Sequence, residues 1–394
     1  METFSFADII APFPVKDFFA LHWEKKHLHI SRNKDYYLQS VLNVQDIDAF
    51  FSQENIGPER INLVKKGVIV PPEEWTNTLR LIDGRVVAFV NPTKVFSLYA
   101  SGATIIVNAA QKSIPRLAQA CASIERELKI ELQANIYITP PHSQGFAKHY
   151  DIHDIFSMQI KGTKAWQFYD SGEDLPISLA PFSREPQLIT KFEMNPGDFL
   201  YMPRGLVHEA SASGESTIHV NFSHKARYGF HLLEDLIKVA EKEEVFFRRT
   251  LPHIHSTEEQ KQEYIHAFSR KLQEIITAYP VDVLLKRQDE IFVEKQKPVL
   301  KGRLSDMLVV DQLTIHSRVL RRREMVYTIH KEDNGLVIQF GKEKLMIPNW
   351  LDQSVFLSEA PFAIKDIKGL VTDKIKIDLV KKCVESGFLK IESL

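Results

Sequence analysis

A histidine and an aspartate two residues apart, His149 and Asp151, form the first pair of side chains that could bind a metal ion. On a β-strand this spacing directs both side chains to one face, where they offer a nitrogen and an oxygen ligand. A second motif ends in His208, since residues 196–208 read Pro-Gly-Asp-Phe-Leu-Tyr-Met-Pro-Arg-Gly-Leu-Val-His. Its glycines and prolines predict tight turns that deliver this histidine from a neighbouring strand. Two histidines and one carboxylate make a facial triad that leaves metal positions open for a co-substrate and dioxygen.

Fe(II) is the metal that this ligand set favours. A structural zinc site is normally closed by four ligands, and magnesium prefers oxygen ligands. A His-x-Asp pair alone is common and often reflects a surface hydrogen bond, but the glycine- and proline-containing motif before His208 strengthens the metal interpretation. A competing pair stays open, because His153 would share the face of Asp151 if the strand continued.

Lys164 is the candidate cation for an oxoacid co-substrate, whose distal carboxylate needs a positive partner. It follows the Lys161-Gly162 turn, and Lys164, Trp166 and Phe168 alternate onto one face of a predicted strand. Burial of an unpaired ammonium among aromatic rings is costly, and a carboxylate partner relieves that cost. The alternative is a lysine at the rim that extends its ammonium into water.

Polar side chains on the flanking strands are candidates for contacts with co-substrate or substrate. Three of them share a face of the strand before the metal motif: Asn135, Tyr137 and Thr139. A half-buried strand explains these three nearly as well. Ser223, at the end of the strand after His208, is a similar candidate. His219 lies in the apolar run 217–222 and is predicted to be a core or supporting histidine rather than a ligand.

Short strands between residues 132 and 223 are the elements that must position these side chains. Alternating or apolar runs separated by Gly and Pro predict strands at 134–139, 155–160, 165–169, 199–202 and 217–222. Many short strands of this kind predict a mainly β core, a sandwich or barrel of the jelly-roll type. A helix at about 114–127 is expected to pack on the sheet, because Pro115 suits a first turn and apolar residues recur at helical spacing.

Helices follow the predicted β core. Residues 227–244 and 256–279 are predicted to be helical, the second opening with a capping box at 256–259. Two amphipathic helices without a sheet to cover indicate an association surface. The last hundred or so residues combine strands at 336–340 and 344–347, a helix at about 372–386 and a short strand at 388–392. This mixture predicts a C-terminal winged-helix module.

The composition is that of an ordinary soluble protein with several domains. The chain has 394 residues, 50 basic and 51 acidic side chains and 44% hydrophobic residues, so no global field attracts nucleic acid. Cys121 and Cys383 are too few for a disulfide scaffold and fit a reducing compartment. The N-terminus lacks a signal-peptide pattern, and no window approaches the roughly 20 apolar residues of a membrane span. We therefore expect a cytoplasmic protein without membrane contact.

The motif residues resemble the ribosomal oxygenase branch of the JmjC family, also called cupin-4 proteins. The resemblance is carried by PPHSQGFAKHYDIHDIFSMQIKGTKAWQFY at 140–169, by the cupin signature within PGDFLYMPRGLVHEA at 196–210, and by FALHWEKKHLHI at 19–30. It implies a double-stranded β-helix catalytic core over 1–227, a helical dimerisation region over 228–297 and a winged-helix domain over 298–394. The chain is then expected to form a homodimer.

The resemblance also implies the site and its chemistry. His149, Asp151 and His208 would bind Fe(II), with 2-oxoglutarate and O2 as co-substrates, and Lys164 would bind the distal carboxylate of 2-oxoglutarate. Asn135 would assist nearby, and Tyr137 would contact the substrate. That substrate is an arginine or histidine side chain of a ribosomal protein. Lysine at position 164 is expected of the histidyl-hydroxylating branch and arginine of the bacterial arginyl-hydroxylating branch, so the target residue stays open.

Other functions are compatible with the sequence. The first is a cupin-type sensor whose winged helix binds DNA, although its phosphate-binding residues would be limited to a small basic cluster: Arg318, Arg321, Arg322 and Arg323. Nucleic-acid binding is therefore not expected. The others are an iron-binding scaffold without turnover, a methyl-lysine demethylase, and an oxygenase that acts on a different peptide.

Overall fold

The computed structural model describes residues 4–32, 34, 37–170, 174–296, 302–322 and 325–394. The chain divides into two compact units, Met1–Ala226 and Arg227–Leu394. The first unit contains every residue predicted to take part in the metal site. The predicted boundary at 297 lies outside the described residues, and the division of the second unit into helical and winged-helix domains stays a prediction.

The first unit is built mainly from strands. Its strands are β1 (Leu28–Ile30), β2 (Ile61–Lys65), β3 (Val68–Ile69), β4 (Thr76–Arg80), β5 (Val86–Val90), β6 (Thr104–Val107), β7 (Glu131–Thr139), β8 (Ile155–Lys161), β9 (Lys164–Tyr169), β10 (Leu188–Met194), β11 (Phe199–Met202), β12 (Val207–Ala212) and β13 (Thr217–Lys225). Its helices are α1 (Phe6–Ile10), α2 (Val15–Leu21), α3 (Val44–Phe51), α4 (Pro92–Ala100) and α5 (Pro115–Leu128). The predicted mainly β core is confirmed. The strand predicted to carry His208 is β12, and within residues 132–223 the sequence patterns do not predict β10.

Two antiparallel sheets form this core. The larger has eight strands in the order β1-β11-β8-β13-β7-β6-β2-β3, and the smaller has three in the order β10-β9-β12. In the larger sheet β13 lies between β7 and β8, with Asn221 opposite both Asn135 and Ser157. The order jumps between strands that are distant in sequence, which is typical of jelly-roll connections.

Alternation along β8 divides the apolar side chains between two layers. Phe156 packs in the large cluster that includes Phe6, Phe18 and the apolar face of α5. Its neighbour Ile155 points the other way and packs with Trp166 and Phe168 of the smaller sheet. Because successive strand residues face opposite sides, one sheet can bury helices on one face and a second sheet on the other.

The turn between β8 and β9 fixes where Lys164 begins its strand. Gly162 has φ +66°, and a Cβ atom on it would lie 2.3 Å from the carbonyl oxygen of Ser216. Its own carbonyl accepts a hydrogen bond of 2.7 Å from Nε2 of Gln159. Glycine is therefore required by both conformation and close approach at this turn.

The second unit starts with helices and continues as a mixed α and β structure. Its helices are α6 (Gly229–Glu243), α7 (Glu258–Ala278), α8 (Val281–Lys295), α9 (Arg303–Val309), α10 (Ser354–Leu357) and α11 (Asp373–Glu385). Its strands are β14 (Arg318–Arg321), β15 (Thr328–Glu332), β16 (Gly335–Phe340), β17 (Glu343–Pro348), β18 (Phe362–Ala363) and β19 (Leu389–Ser393). They form two three-stranded sheets, β18-β14-β19 and β15-β16-β17.

The helical part of the second unit differs from the prediction in two places. The cap of α7 is Thr257, whose side chain accepts from the Gln260 amide, so the predicted capping box at 256–259 was one residue early. Pro280 was predicted to end a helix, but it also caps the next one, because α8 begins directly after it. In the described part of the chain, no helix combines the length and apolar character needed to cross a membrane.

Candidate metal centre

His149, Asp151 and His208 meet in the structure, and one potential ligand atom from each lies within 4.8 Å of the others. The regular strand that was predicted to align His149 with Asp151 is absent. His149 instead forms an isolated antiparallel bridge with His208, in which each amide donates to the carbonyl of the other at 3.1 and 2.7 Å. The Gly205 amide donates to the carbonyl of Asp151 at 2.9 Å. The predicted residues are therefore brought together by pairing with the segment that leads into β12.

The imidazole rings present the correct nitrogen for a metal ion. Nδ1 of His149 donates to the carbonyl of Ala147 at 2.8 Å, and Nδ1 of His208 donates to the carbonyl of Leu206 at 3.0 Å. A carbonyl can only accept, so these bonds place each ring proton on Nδ1 and leave the Nε2 lone pair available. Nε2 of His208 lies 3.7 Å from a carboxylate oxygen of Asp151.

Burial keeps His208 in the form that binds metal. Burial and the nearby His149 lower the pKa of His208 to about 4, against a smaller raising effect of Asp151. The ring is therefore neutral at pH 7, as a ligand to a divalent cation must be. Two imidazole nitrogens and one carboxylate oxygen fit the two-histidine, one-carboxylate type of iron site. His153 is not part of this cluster among the described residues.

The three residues open onto a cavity between the two sheets. Its wall is formed by Thr104, Ile106, Tyr137, Gly145, Phe146, His149, Asp151, Lys164, Trp166, His208, Ala210, His219 and Asn221. Of the predicted residues, Lys164 and Tyr137 line this cavity together with the metal candidates. A bound ion would thus face a space enclosed by polar and aromatic side chains.

Lys164 is a buried lysine, with 4% of its surface exposed. The alternative of a rim lysine in contact with water is therefore wrong. Its ammonium lies 3.2 Å from Nδ1 of His219 and 3.4 Å from the hydroxyl of Thr139, and it forms no ion pair within the described ranges. Burial lowers the pKa of Lys164 to about 7. An anionic ligand in the cavity would supply the charge partner that the chain does not provide.

His219 supports this lysine. Its ring stacks on Tyr137 with centroids 4.7 Å apart, and burial holds its pKa well below the ordinary value. A neutral ring can accept the Lys164 proton at Nδ1, which places its own proton on Nε2. The predicted supporting role of His219 thus has a defined geometry.

Asn135 and Ser223 do not line the cavity. The side-chain oxygen of Asn135 accepts from the Ala109 amide at 2.9 Å, and the asparagine lies behind Tyr137, whose hydroxyl it contacts. Ser223 pairs with Gln133 and Ile155 in the sheet. Their roles in co-substrate binding stay predictions.

Asn221 is a cavity residue that the sequence analysis missed. It follows His219 by two positions on β13 and lies opposite Asn135, so strand alternation from His219 was the available signal. Its side-chain oxygen and the indole N–H of Trp166 are buried without a hydrogen-bond partner. Both groups belong to the cavity wall, and a polar ligand there would satisfy them.

Part of the chain is similar to a known protein family. Residues 107–231 match the family model described as JmjC domain. The matched stretch includes both segments that supply the candidate ligands. The predicted resemblance to JmjC proteins is confirmed.

Individual relatives are more specific. The chain is 33% identical over 225 residues to the bifunctional lysine-specific demethylase and histidyl-hydroxylase NO66 of Aedes aegypti. The aligned region covers 55% of this chain and 34% of the relative. It is 31% identical over 261 residues to ribosomal oxygenase 1 of Homo sapiens, and this alignment covers 62% of this chain and 38% of the relative. The chain thus spans little more than a third of the length of these curated relatives.

Solved structures share the fold over nearly the whole chain. The Escherichia coli ribosomal oxygenase YcfD aligns with a TM-score of 0.57 and 16% identity, covering 96% of this chain and 98% of the other. A second structure of YcfD, in complex with cobalt and 2-oxoglutarate, aligns with a TM-score of 0.57 and 15% identity, covering 97% and 99%. At this identity the likeness concerns the fold.

We expect the metal-free protein to bind one Co(II) ion, used as a probe, at the His149, Asp151 and His208 cluster. Replacing His149 by Ala removes one of three ligands and should weaken Co(II) binding by a factor of about 100 or more. Equilibrium dialysis with the visible absorption of Co(II) measures this. His153→Ala is the matched control and should bind as the wild type does. Loss of Co(II) binding in His153→Ala but not in His149→Ala would instead support the competing Asp151 and His153 pair.

Proposed function

We propose that this protein is an Fe(II)- and 2-oxoglutarate-dependent oxygenase that hydroxylates an arginine or histidine side chain of a ribosomal protein. The observation that carries the proposal is the pairing of two features in one cavity. His149, Asp151 and His208 form an incomplete metal ligand set, and Lys164 is a buried ammonium without an anionic partner among the described residues. A metal ion would complete the ligand set, and a dicarboxylate would supply the missing anionic partner of Lys164.

The residues of the chain bind and orient, and the bound groups carry out the oxidation. Bound Fe(II) would activate dioxygen, which is the oxidant, while 2-oxoglutarate supplies two electrons by its decarboxylation, so that one oxygen atom enters the substrate C–H bond and the other enters succinate, with release of carbon dioxide. Lys164 would bind the distal carboxylate of 2-oxoglutarate. The unpaired Trp166 N–H and Asn221 oxygen would satisfy polar groups of the ligands. Tyr137, on the same wall, would contact the substrate side chain.

Histidine is the first target residue to test. The relative from Aedes aegypti is named a histidyl-hydroxylase as well as a lysine-specific demethylase, and the human relative is named a ribosomal oxygenase. Lysine at position 164 is also the residue expected of the histidyl-hydroxylating branch. The name of the human relative supports a ribosomal protein as substrate, and we keep a cytoplasmic location as part of the proposal.

The DNA-binding alternative has weaker support. In the second unit Arg318 pairs with Glu392, Arg321 pairs with Glu359, and the buried Arg322 pairs with Asp306. Arg323 lies outside the described residues. Arginines engaged in internal ion pairs are poorly placed to neutralise phosphates. We retain the winged-helix assignment of residues 298–394 as a proposal. Salt-dependent binding of duplex DNA would count against the oxygenase as the main function.

Homodimerisation is proposed through the helices of the second unit. Leu233 and Ile237 of α6 are 61% and 65% exposed, and α7 exposes an apolar row that includes Ile265, Phe268, Leu272 and Ile276. Contiguous exposed apolar surface on a helix is typical of an interface. A second copy with the same face would bury it by twofold symmetry.

The oxygenase proposal predicts succinate formation by anaerobically purified protein that receives Fe(II), 2-oxoglutarate, ribosomal proteins and then air. Intact-mass spectrometry should find one added oxygen atom on a ribosomal protein. His149→Ala should form no product, because the metal is lost. Turnover without an oxygen gain on any ribosomal protein would redirect the search to other peptides. If the iron-loaded wild-type protein forms no succinate, the proposal that it is an oxygenase is refuted.

The lowered pKa of Lys164 predicts a pH-dependent affinity for 2-oxoglutarate. Below its pKa of about 7 the amine is already charged, whereas above it binding must take up a proton. Affinity should therefore fall as the pH rises, by up to about tenfold per pH unit. The dissociation constant on Co(II)-loaded protein between pH 6.5 and 8.5 measures this. Lys164→Arg stays charged, so its affinity should change less with pH, and equal slopes for both proteins would contradict the assignment.

The dimer predicts that charge on the exposed α6 face separates the two copies. The double variant Leu233→Glu, Ile237→Glu should sediment as a monomer at a concentration where the wild type is a dimer. Leu179→Glu, at an apolar residue of the first unit that is 71% exposed, is the matched control and should remain dimeric. Monomeric wild type at micromolar concentration would exclude the dimer.

A further inference from the structure

A second cavity of about 570 Å³ opens beside the metal centre. Six of its lining residues define what we call the lateral groove: Lys65, Lys66, His142, Gln144, Ala147 and Glu209. We propose that the lateral groove binds an acidic residue of the protein substrate, close in sequence to the side chain that is hydroxylated. This inference rests on the proposed function and names the feature by which the substrate is selected.

The lateral groove is built from the segments that carry the metal candidates. Ala147 precedes His149 by two residues, and Glu209 directly follows His208. The segment between Gln144 and Ala147 contributes Gly145 and Phe146 to the metal cavity. A chain whose target side chain enters the metal cavity would therefore have neighbouring residues within reach of the lateral groove.

Backbone hydrogen bonds fix the groove walls before any ligand binds. The Gly67 amide donates to the carbonyl of Gly145 at 3.0 Å, and the Ala212 amide donates to the carbonyl of Ser143 at 2.9 Å. His142 donates its amide to the carbonyl of Ser213 at 2.9 Å. The turn after β2 and the 142–147 segment are thus tied to each other and to β12, and a preformed groove binds with a smaller entropic cost.

Lys66 occupies a backbone position that does not favour lysine. Together with Gly67 it forms the two-residue turn between β2 and β3, and the two residues have φ angles of +51° and +80°. A turn with positive φ at both positions prefers Asn, Asp or Gly at the first, because other side chains are strained there. The lysine presents an exposed ammonium at the groove instead.

The charges of the lateral groove favour a carboxylate. Lys66 has no ion pair among the residues that the structure describes, and Lys65 donates to the hydroxyl of Ser101 at 3.0 Å rather than to an acid. Glu209, the acidic residue of the wall, already accepts hydrogen bonds from the Tyr169 hydroxyl and from Gln144. Two lysines against one carboxylate leave the groove with a net positive charge, which an aspartate or glutamate of a peptide would complement.

The test uses overlapping synthetic peptides from ribosomal proteins, labelled with a fluorophore, and Co(II)-loaded protein with 2-oxoglutarate. Anisotropy gives the affinity of each peptide, and the bound peptides are then incubated with the Fe(II) enzyme in air. We expect a bound peptide with Asp or Glu near the modified residue. Replacing that acid by Ala, or Lys66 by Glu, should weaken binding by about five- to tenfold.

A charge exchange provides the decisive comparison. A peptide with Lys in place of its acid should regain affinity for Lys66→Glu. Lys16→Glu, at an exposed lysine of α2 that lines neither cavity, carries the same change of net charge and should bind like the wild type. The affinity for 2-oxoglutarate should be the same in all variants, which shows that the metal cavity is intact.

The outcomes separate the two proposals. If peptides gain oxygen whether or not the acidic residue and Lys66 are present, the proposed role of the lateral groove is overturned and the oxygenase proposal stands. Binding that depends on both, with neither oxygen gain nor succinate formation by the iron-loaded enzyme, supports the groove and overturns the oxygenase. Equal weakening by Lys16→Glu, or a Lys66 effect seen with an RNA oligonucleotide instead of peptides, also overturns the groove as an acidic-residue site.

Discussion

The pair of backbone hydrogen bonds between His149 and His208 is the contact on which the candidate site depends. It joins two segments that are far apart in the chain and sets their imidazole rings side by side, with centroids 4.4 Å apart. An antiparallel bridge holds opposite residues at a fixed separation whatever their side chains are. The ligand geometry is therefore imposed by the backbone, and the Nδ1 bonds to Ala147 and Leu206 then only set the orientation of each ring.

A buried polar network holds the same two segments together from behind. Asp154, three residues after Asp151, accepts from the Tyr201 hydroxyl at 2.7 Å and pairs with Arg204 at 3.3 Å. Arg204 also pairs with Glu24, whose amide donates to the Tyr201 hydroxyl. Breaking a buried pair by removal of one partner typically costs about 3–5 kcal/mol. The N-terminal segment is thus part of the support for the metal centre.

Much of the site could be predicted because its residues lie in short motifs. The spacing of His149 and Asp151, the motif before His208, and the alternation of Lys164 with Trp166 are local features. The reason given for the first pair was nevertheless wrong, since no regular strand is present there and pairing with a distant segment replaces it. The bounds of β12, the strand that carries His208, were not predicted because its sequence is mostly small and polar, and its partner β9 determines its conformation.

Features made by distant segments could not be predicted. Asn221 joins the cavity through its neighbour strands, and the lateral groove combines the turn after β2 with residues 142–147 and 209. One sequence does not show which turns meet in space. In the second unit the amphipathic helices were predicted, whereas the third helix after Pro280 was not, because Pro serves equally as a stop and as the start of the next helix.

The separation of the ligands along the chain has a consequence for folding. An ion held by His149, Asp151 and His208 would act as a removable cross-link between two distant segments of the chain. The loop that it closes contains β9, β10 and the first residues of β12, which together form most of the smaller sheet. Such a closure restricts the unfolded chain far more than the folded one, so it stabilises the folded state in the way a disulfide does. Supply of the metal would then govern how long the folded protein persists, independently of any role of the metal in catalysis.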